Sequence, residues 1–225
     1  MNFFSLPLMV WLSPAFPVGA FAFSHGLEWA VETGDVHDLP SACTWIEDVM
    51  RYGSGRSDSV AASLTYRMAR ENDEEGLREL SELVVALQPC AERRLETLVQ
   101  GQAFAAAIKS AWSHDRFVTL SHYCGSDLPY PLAFGLACAC HDVPLADSLR
   151  AYGLAFVSNL VSALIRLGPL GQTGGQHVLA QLLPVIGDVA SQAEHASWSD
   201  LGGSSLYSDI CSMRHETQYT RLFRS

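Results

Sequence analysis

An uncharged, apolar stretch between Arg150 and Arg166 predicts a buried helix. At about 100° per residue, its apolar side chains cover an arc of roughly 200°, and small or polar residues occupy the remaining sector. The apolar positions are Leu149, Leu154, Phe156, Val157, Leu160, Val161, Leu164, Ile165 and Leu167. A helix with so wide an apolar arc is typical of the central element of a bundle.

Residues at both ends of this stretch set its limits. Pro144 fits a first helical turn, where its missing N–H is not needed, while Gly168 can adopt a left-handed cap and Pro169 cannot continue the helix. The segment therefore predicts a helix over residues 144–167. A membrane span requires roughly 18 or more nearly continuous apolar residues. Because polar residues interrupt the run between positions 158 and 162, we interpret it as a core helix.

The first twenty residues predict an extended arm. Pro7, Pro14, Pro17 and Gly19 disfavour a regular helix, so none is expected within residues 1–20. The segment also lacks the basic residues that open a secretory signal peptide.

The rest of the chain shows helical spacing and no convincing alternating strand. A glycine-rich loop is expected at 168–175, a proline-kinked helix or helix pair around Pro184, and a last helix from Ser204 to about Tyr219. The predicted fold is all-α: one domain over residues 1–225, with about nine or ten helices around the buried central helix.

Composition narrows the functional classes. The chain has 225 residues and a net charge of −10, which argues against nucleic-acid binding because that depends on basic groups. Its 17% charged residues are few, as in proteins that bury surface against partners. Thirteen of its 14 basic residues are arginine, the exception being Lys109, and three of the arginines lie in the last twelve residues. Six cysteines without a disulfide-scaffold spacing indicate a reduced, cytoplasmic protein.

Motifs for intrinsic chemistry are missing. Lys109 does not follow a glycine-rich loop, so there is no P-loop, and no GxSxG motif is present. Cys138, Cys140 and His141 do not share one helical face, and no second ligand cluster accompanies them, so no metal site is expected. His25 and Glu28 could form an acid–base pair one turn apart, although a hydrogen bond on a helix surface is the preferred interpretation.

Two segments remain that composition does not explain. Residues 12–21 (LSPAFPVGAF) are apolar where a soluble arm would be polar, and residues 212–225 (SMRHETQYTRLFRS) combine charged and aromatic side chains. Arg, Tyr and Phe are enriched at protein interfaces. We therefore interpret both segments as contact surfaces, with an arm and a last helix packed on the protein's own core as the alternative.

Together these segments resemble the urease accessory protein UreF family. The matching motifs are residues 12–28 (LSPAFPVGAFAFSHGLE), 159–176 (NLVSALIRLGPLGQTGGQ) and 212–225, in the same order across nearly the whole chain. The resemblance implies an all-α, non-enzymatic chaperone for nickel insertion into apo-urease. It implies a homodimer that binds the accessory protein UreD (also called UreH), then recruits and modulates the GTPase UreG. It implies no intrinsic cofactor, with nickel and GTP carried by the partners.

The resemblance also implies roles for individual residues. The partner-binding set in the tail is Arg214, His215, Glu216, Gln218, Tyr219, Arg221 and Phe223, with Arg214 the foremost candidate. The structural and interface set is Pro14, Phe16, Pro17, Gly19, Ser24, His25, Glu28, Arg166 and Gln172. The chain departs from the family pattern at Gly174, where many relatives have an acidic residue, and at His177, where a basic one is common.

Two further hypotheses stay open at this point. One is a helical interaction module unrelated to metal delivery, and the other is a small helical enzyme using His25 and Glu28 or the Cys138/His141 face. For the accessory protein, deletion of residues 212–225 is expected to leave the helical fold largely intact while abolishing complex formation.

Overall fold

A computed structural model describes residues 6–125 and 127–225 of the chain. All regular elements in these two ranges are helical, which confirms the predicted all-α fold. The α-helices are α1 (Leu6–Trp11), α2 (Leu27–Glu32), α3 (Leu39–Tyr52), α4 (Ser54–Glu71), α5 (Glu74–Ala86), α6 (Ala91–Ala111), α7 (Asp115–Tyr123), α8 (Tyr130–Cys140), α9 (Leu145–Leu167), α10 (Gln172–Glu194) and α11 (Leu206–His215). Short 3-10 turns lie at Ala20–Ala22 and Trp198–Asp200.

Two apolar clusters form the core, and α9 belongs to both. The first cluster contains α4 to α8, with Leu149 and Tyr152 at the start of α9. The second contains α2, α3, α10 and α11, with residues 157–164 of α9. The helix ends at Gly168, whose φ of 102° provides the predicted left-handed cap. The predicted central helix therefore joins the two halves of the core.

One side of α9 is open rather than covered. Leu154 is exposed and Ser158 is half-buried, and both line a cavity beside the N-terminal arm. By length and composition α9 could cross a membrane, but 56% of its apolar window is buried within the protein. This degree of burial is expected of a helix packed in a protein core. The helix that is buried on every side is α8, from Pro131 to Cys140.

The N-terminal arm differs from its prediction because residues 6–11 form a helix. Pro7 lies in the first turn of α1, where it lacks only an N–H that would have no partner. Leu8 and Trp11 are buried in the first core cluster, which stabilises this short helix by tertiary packing. The expectation of no helix within residues 1–20 is therefore wrong for residues 6–11, while residues 1–5 lie outside the described ranges.

Two predicted boundaries near glycines and the tail are also corrected. The loop expected over 168–175 is shorter, because α10 begins at Gln172 and takes Gly174 and Gly175 into its first turn. Helix α10 continues through Pro184 as one helix. Helix α11 ends at His215 rather than near Tyr219, because the chain continues in tighter turns: the N–H groups of Thr217 and Gln218 donate to carbonyls three residues back, at Arg214 and His215.

Candidate functional site

The site is built around the C-terminal tail, residues 216–225, and the buried carboxylate of Glu28. Oε1 of Glu28 accepts from the backbone N–H of Leu222 (2.6 Å), and Oε2 accepts from the N–H of Phe223 (2.8 Å). His215 at the end of α11 also donates to Oε2, from Nε2 at 3.1 Å. A side chain from α2 thus supplies the acceptors that a continuing helix would have supplied to the tail.

A second carboxylate, Glu92, completes the contact with His215. Nδ1 of His215 lies 2.6 Å from Oε2 of Glu92, and Nη1 of Arg221 lies 2.8 Å from Oε1 of the same group. The fully buried imidazole of His215 therefore lies between two carboxylates. Glu216 accepts from the free N–H of Ala91 (2.8 Å) at the start of α6. These bonds join α2, α6 and the tail.

The last residues pair with the arm through the backbone. The N–H of Ser24 donates to the main-chain oxygen of Ser225 (2.7 Å), and the N–H of Arg224 donates to the carbonyl of Ala22 (2.8 Å). The hydroxyl of Ser24 also donates to the oxygen of Ser225. The arm motif and the tail motif therefore form one continuous structure.

Glu96 is the buried centre beneath this junction. Its carboxylate accepts from Nε2 of His25 (2.9 Å), the hydroxyl of Ser225 (2.9 Å) and Nε2 of Gln100 (3.0 Å), and it pairs with Arg93. Burial by itself would raise the pKa of Glu96, but Arg93 and His25 hold it at about 2. Burial and Arg93 lower the pKa of His25. Glu96 is therefore ionised and His25 neutral near pH 7.

Gly26 sets the distance between α2 and α11. Its φ is 76°, and a Cβ at this position would lie 2.7 Å from the backbone nitrogen of Ser212 in α11. Only glycine combines this conformation with so close an approach. The contact places His215 and the tail over Glu28.

A cavity of 620 Å³ opens beside this network. The arm and the open side of α9 form its apolar walls, and Asp58, Arg93 and Glu96 form part of its floor. Burial raises the pKa of Asp58 to about 6, with Glu96 contributing and Arg93 opposing, and the hydroxyl of Tyr152 donates to its Oδ2 (3.3 Å). The cavity floor therefore carries a carboxylate that is costly to ionise.

We expect Asp58→Asn to stabilise the protein at pH 8 by about 1–2 kcal/mol. Because the folded-state pKa of Asp58 is raised from 3.8 to about 6, its ionisation disfavours the folded state above pH 6. The gain should therefore shrink as the pH falls through 6 and vanish below about 4. Urea unfolding at pH 8, 6 and 4 measures this, with the exposed Asp48→Asn as control. An equal gain at all three values would contradict the assignment.

The residues predicted as a possible acid–base pair do not contact each other. His25 lies before α2, with φ of 56°, and bonds with Glu96, while Glu28 binds the tail. Both side chains are buried, so the expected hydrogen bond on a helix surface is wrong. The physical reason is that both groups satisfy buried partners brought from distant parts of the chain.

The Cys138/His141 face shows no metal-binding geometry. Burial raises the pKa of the Cys138 thiol to about 12 and that of the Cys140 thiol to about 11. Among the described residues, no group of three or more His, Cys, Asp and Glu side chains could hold a metal ion.

The predicted partner-binding residues of α11 and the tail divide into two groups by exposure. His215, Gln218 and Phe223 are buried, and the amide of Gln218 donates to Glu32. The remaining predicted partner-binding residues are exposed, namely Arg214, Glu216, Tyr219 and Arg221. The structure thus brings the predicted set to one place, and five of its members also hold the tail: His215, Glu216, Gln218, Arg221 and Phe223.

The structural and interface set is also placed near this site, except for one residue. Ser24, His25 and Glu28 hold the tail, as described above. Pro14, Phe16 and Gly19 line the cavity with the arm, Pro17 lies between them in sequence, and Arg166 stacks on Phe21 and Phe223. Gln172 is exposed at the start of α10.

Sequence reasoning missed the contribution of α6. Glu92, Arg93, Glu96 and Gln100 have the spacing of one helical face. Such a face is normally solvated, but here Arg93, Glu96 and Gln100 are buried. The low charge content of the chain was a signal that these polar residues could be internal.

The UreF sequence family matches residues 36–183 of the chain. A urease accessory protein UreF from Rhodopseudomonas palustris (strain BisB5) is 50% identical over 218 residues, covering 97% of this chain and 90% of the relative. Those from Xanthobacter autotrophicus (47%; 98% and 90% covered) and Bradyrhizobium diazoefficiens (45%; 97% and 90%) are also similar. Identity at this level over almost the whole length shows common descent. The chain belongs to the UreF family of urease accessory proteins.

Proposed function

We propose that this protein is a non-enzymatic scaffold of urease maturation. In this role it binds a UreD/UreH-type accessory protein, recruits and modulates a UreG-type GTPase, and supports nickel insertion into apo-urease. The observation that carries the proposal is the docked tail: buried carboxylates hold its backbone, while Arg214, Tyr219, Arg221 and Leu222 face solvent. Exposed arginine and aromatic side chains on a fixed backbone are suited to protein recognition.

The use of the histidines and carboxylates supports a role without catalysis. His25, Glu28, Glu92 and Glu96 are all engaged in holding the arm and the tail. Nickel and GTP would then be carried by partner proteins, and no intrinsic cofactor is proposed. The six free cysteines support a reducing, cytoplasmic location.

A homodimer is part of the proposal. Leu6, Met9 and Phe21 are 74%, 60% and 59% exposed, and Met9 and Phe21 line the cavity together with Leu154. Exposed apolar side chains grouped around an opening are typical of surfaces that become covered by another protein. Sedimentation analysis of the purified chain would measure the oligomeric state.

We expect Arg214→Ala to weaken capture of the accessory partners by at least about tenfold without changing Tm, because Arg214 is exposed at the end of α11. The measurement is a pull-down from cells that co-express the other urease accessory proteins, followed by an affinity measurement on the recovered complex. Arg78→Ala, an exposed arginine on α5, is the matched control. If the Arg214→Ala variant captures the partners as well as the wild type, Arg214 is not part of the partner surface. If the wild type captures no accessory protein, the proposed function is refuted.

A further inference from the structure

The cavity beside the N-terminal arm has the dimensions of a small-molecule site. Its volume of 620 Å³ lies within the usual range for ligand pockets, about 300–1,000 Å³. One wall is a row of small side chains on α9, and the arm forms another. The small residues of α9 that line the cavity are Ala151, Ala155, Ser158 and Ser162. Because these side chains are too short to fill the space, the cavity is built into the sequence of α9.

Aromatic side chains are frequent in the lining of this cavity. The ring centroids of Tyr130 and Tyr152 lie 5.6 Å apart, next to the floor. The aromatic residues of the lining are Trp11, Phe16, Phe21, Tyr130, Tyr152 and Phe156. An ammonium group is attracted to the faces of aromatic rings, and groups of such rings bind organic ammonium ions in proteins. The lining therefore has the composition expected of a site for a cation with an apolar body.

Asp58 gives the floor of the cavity an unbalanced negative charge. Its carboxylate accepts from the hydroxyl of Tyr152, and none of the ion pairs within the described residues includes it. The guanidinium of Arg93 pairs with Glu96 instead, and His25, which also bonds with Glu96, is neutral near pH 7. Asp58 is only half-buried, so its carboxylate can be reached from the cavity. A carboxylate in such a position is complementary to a cationic ligand.

We propose that this cavity binds a small organic ammonium ion. The ammonium group lies at the carboxylate of Asp58, which the hydroxyl of Tyr152 orients, and the apolar body of the ligand lies along the walls made by α9 and the arm. A bare metal cation fits this lining poorly, because hard cations require several oxygen ligands and most of the lining is apolar. The site goes beyond the proposed scaffold function and is tested on the isolated protein, so either can fail without the other.

Two probes of nearly equal shape test the charge preference by calorimetry: benzylammonium, which is a cation, and benzyl alcohol, which is neutral. At pH 8, benzylammonium should bind at least about tenfold more tightly than benzyl alcohol. In Asp58→Asn, its binding should weaken at least about tenfold, while that of benzyl alcohol should change by less than about twofold. Asp48→Asn, which removes an exposed carboxylate on α3, should leave both affinities unchanged. Equal affinity for the two probes, no binding of either, or benzylammonium binding unaffected by Asp58→Asn would overturn the site.

A cavity-filling substitution tests where the probes bind. In Ala155→Leu, the added side chain would occupy part of the cavity, so both probes should bind at least about fivefold more weakly. Thermal unfolding shows whether this variant is folded, and Asp58→Asn decides the charge preference in either case. Benzylammonium binding at wild-type affinity in a folded Ala155→Leu protein would place the probe on the surface and overturn the proposal.

The pH dependence of binding identifies the group that receives the cation. Arg93 and Glu96 from α6, Tyr130 from α8 and Tyr152 from α9 face Asp58. Glu96, with a pKa of about 2, stays ionised between pH 5 and 8, and the arginine and the two tyrosines do not titrate there. Since the pKa of Asp58 is about 6, benzylammonium should bind about tenfold more weakly at pH 5 than at pH 8. In Asp58→Asn this dependence should vanish, and its persistence would contradict the role of Asp58.

Discussion

Glu28→Gln is expected to lower the free energy of unfolding by about 3 kcal/mol and to release the tail from the protein. The carboxylate of Glu28 accepts from two backbone N–H groups and from His215. A glutamine at this position must turn its NH₂ group towards at least one of these donors. In the variant, an NH₂ group therefore faces a group that also donates, and that donor loses its acceptor. His215 keeps Glu92 as its single carboxylate partner.

Glu79→Gln is the matched control, because Glu79 is exposed on α5 and takes no part in the tail contacts described above. It should cost less than about 1 kcal/mol. Urea unfolding gives both free energies, and hydrogen exchange of Leu222 and Phe223 reports release of the tail. A Glu28→Gln protein with wild-type stability and slow exchange at these two amides would show that the carboxylate does not hold the tail.

The same contacts revise the deletion experiment expected from the sequence. Removing residues 212–225 would take away His215 and Arg221, and with them the partners of Glu28 and Glu92. It would also remove Phe223 from the second core cluster. A loss of partner binding in such a deletion would therefore mix lost contacts with lost stability, so substitutions at exposed tail residues are the cleaner test.

Gly26→Ala, like Glu28→Gln, is expected to lower the free energy of unfolding by about 3 kcal/mol or more. It should also prevent the tail from docking. The added Cβ would lie 2.7 Å from the backbone nitrogen of Ser212 and 3.0 Å from the carbonyl oxygen of Ser208, so α11 must move away from α2. Because α11 carries His215, this shift also breaks its contact with Glu28.

Gly34→Ala separates the cost of backbone strain from the cost of the clash with α11. Gly34 has a similar φ of 82°, but a Cβ there would have no neighbour within 4 Å. It should therefore cost only the strain of the left-handed conformation, about 1 kcal/mol. Thermal and urea unfolding of both variants measure the difference. Equal losses would mean that the close approach of α11 to α2 contributes nothing to stability.

The sequence predicts those features that depend on local periodicity and on chain-breaking residues. Helix α9 begins and ends within one residue of its prediction, because its wide apolar arc lies between Pro144 and Gly168. Helix α1 was not predicted, because a proline in a first helical turn has the same sequence pattern as a proline in an extended segment. The packing of Trp11 that stabilises the helix involves residues distant in sequence.

The candidate site could be predicted only in part, because its bonds join residues far apart in the chain. The sequence indicates that the arm and tail motifs are contact surfaces, and the two motifs meet in the structure. The acceptors for the N–H groups of Leu222 and Phe223 come from Glu28, more than 180 residues earlier. No local sequence pattern indicates that the side chains of Glu92 and Glu96 bond with His215 and Ser225. Exposure of Arg214 and burial of His215 likewise depend on how α11 packs against α2.

The most direct test of the account is the activity of urease in cells that express apo-urease and the remaining accessory proteins at a fixed nickel concentration. Addition of the wild-type chain is predicted to produce active urease, and the Glu28→Gln chain, expressed to the same level, is predicted to leave activity near background. Equal urease activity with and without the chain, or full activation by Glu28→Gln, would contradict the claim that a tail held by buried carboxylates is the surface through which this protein acts.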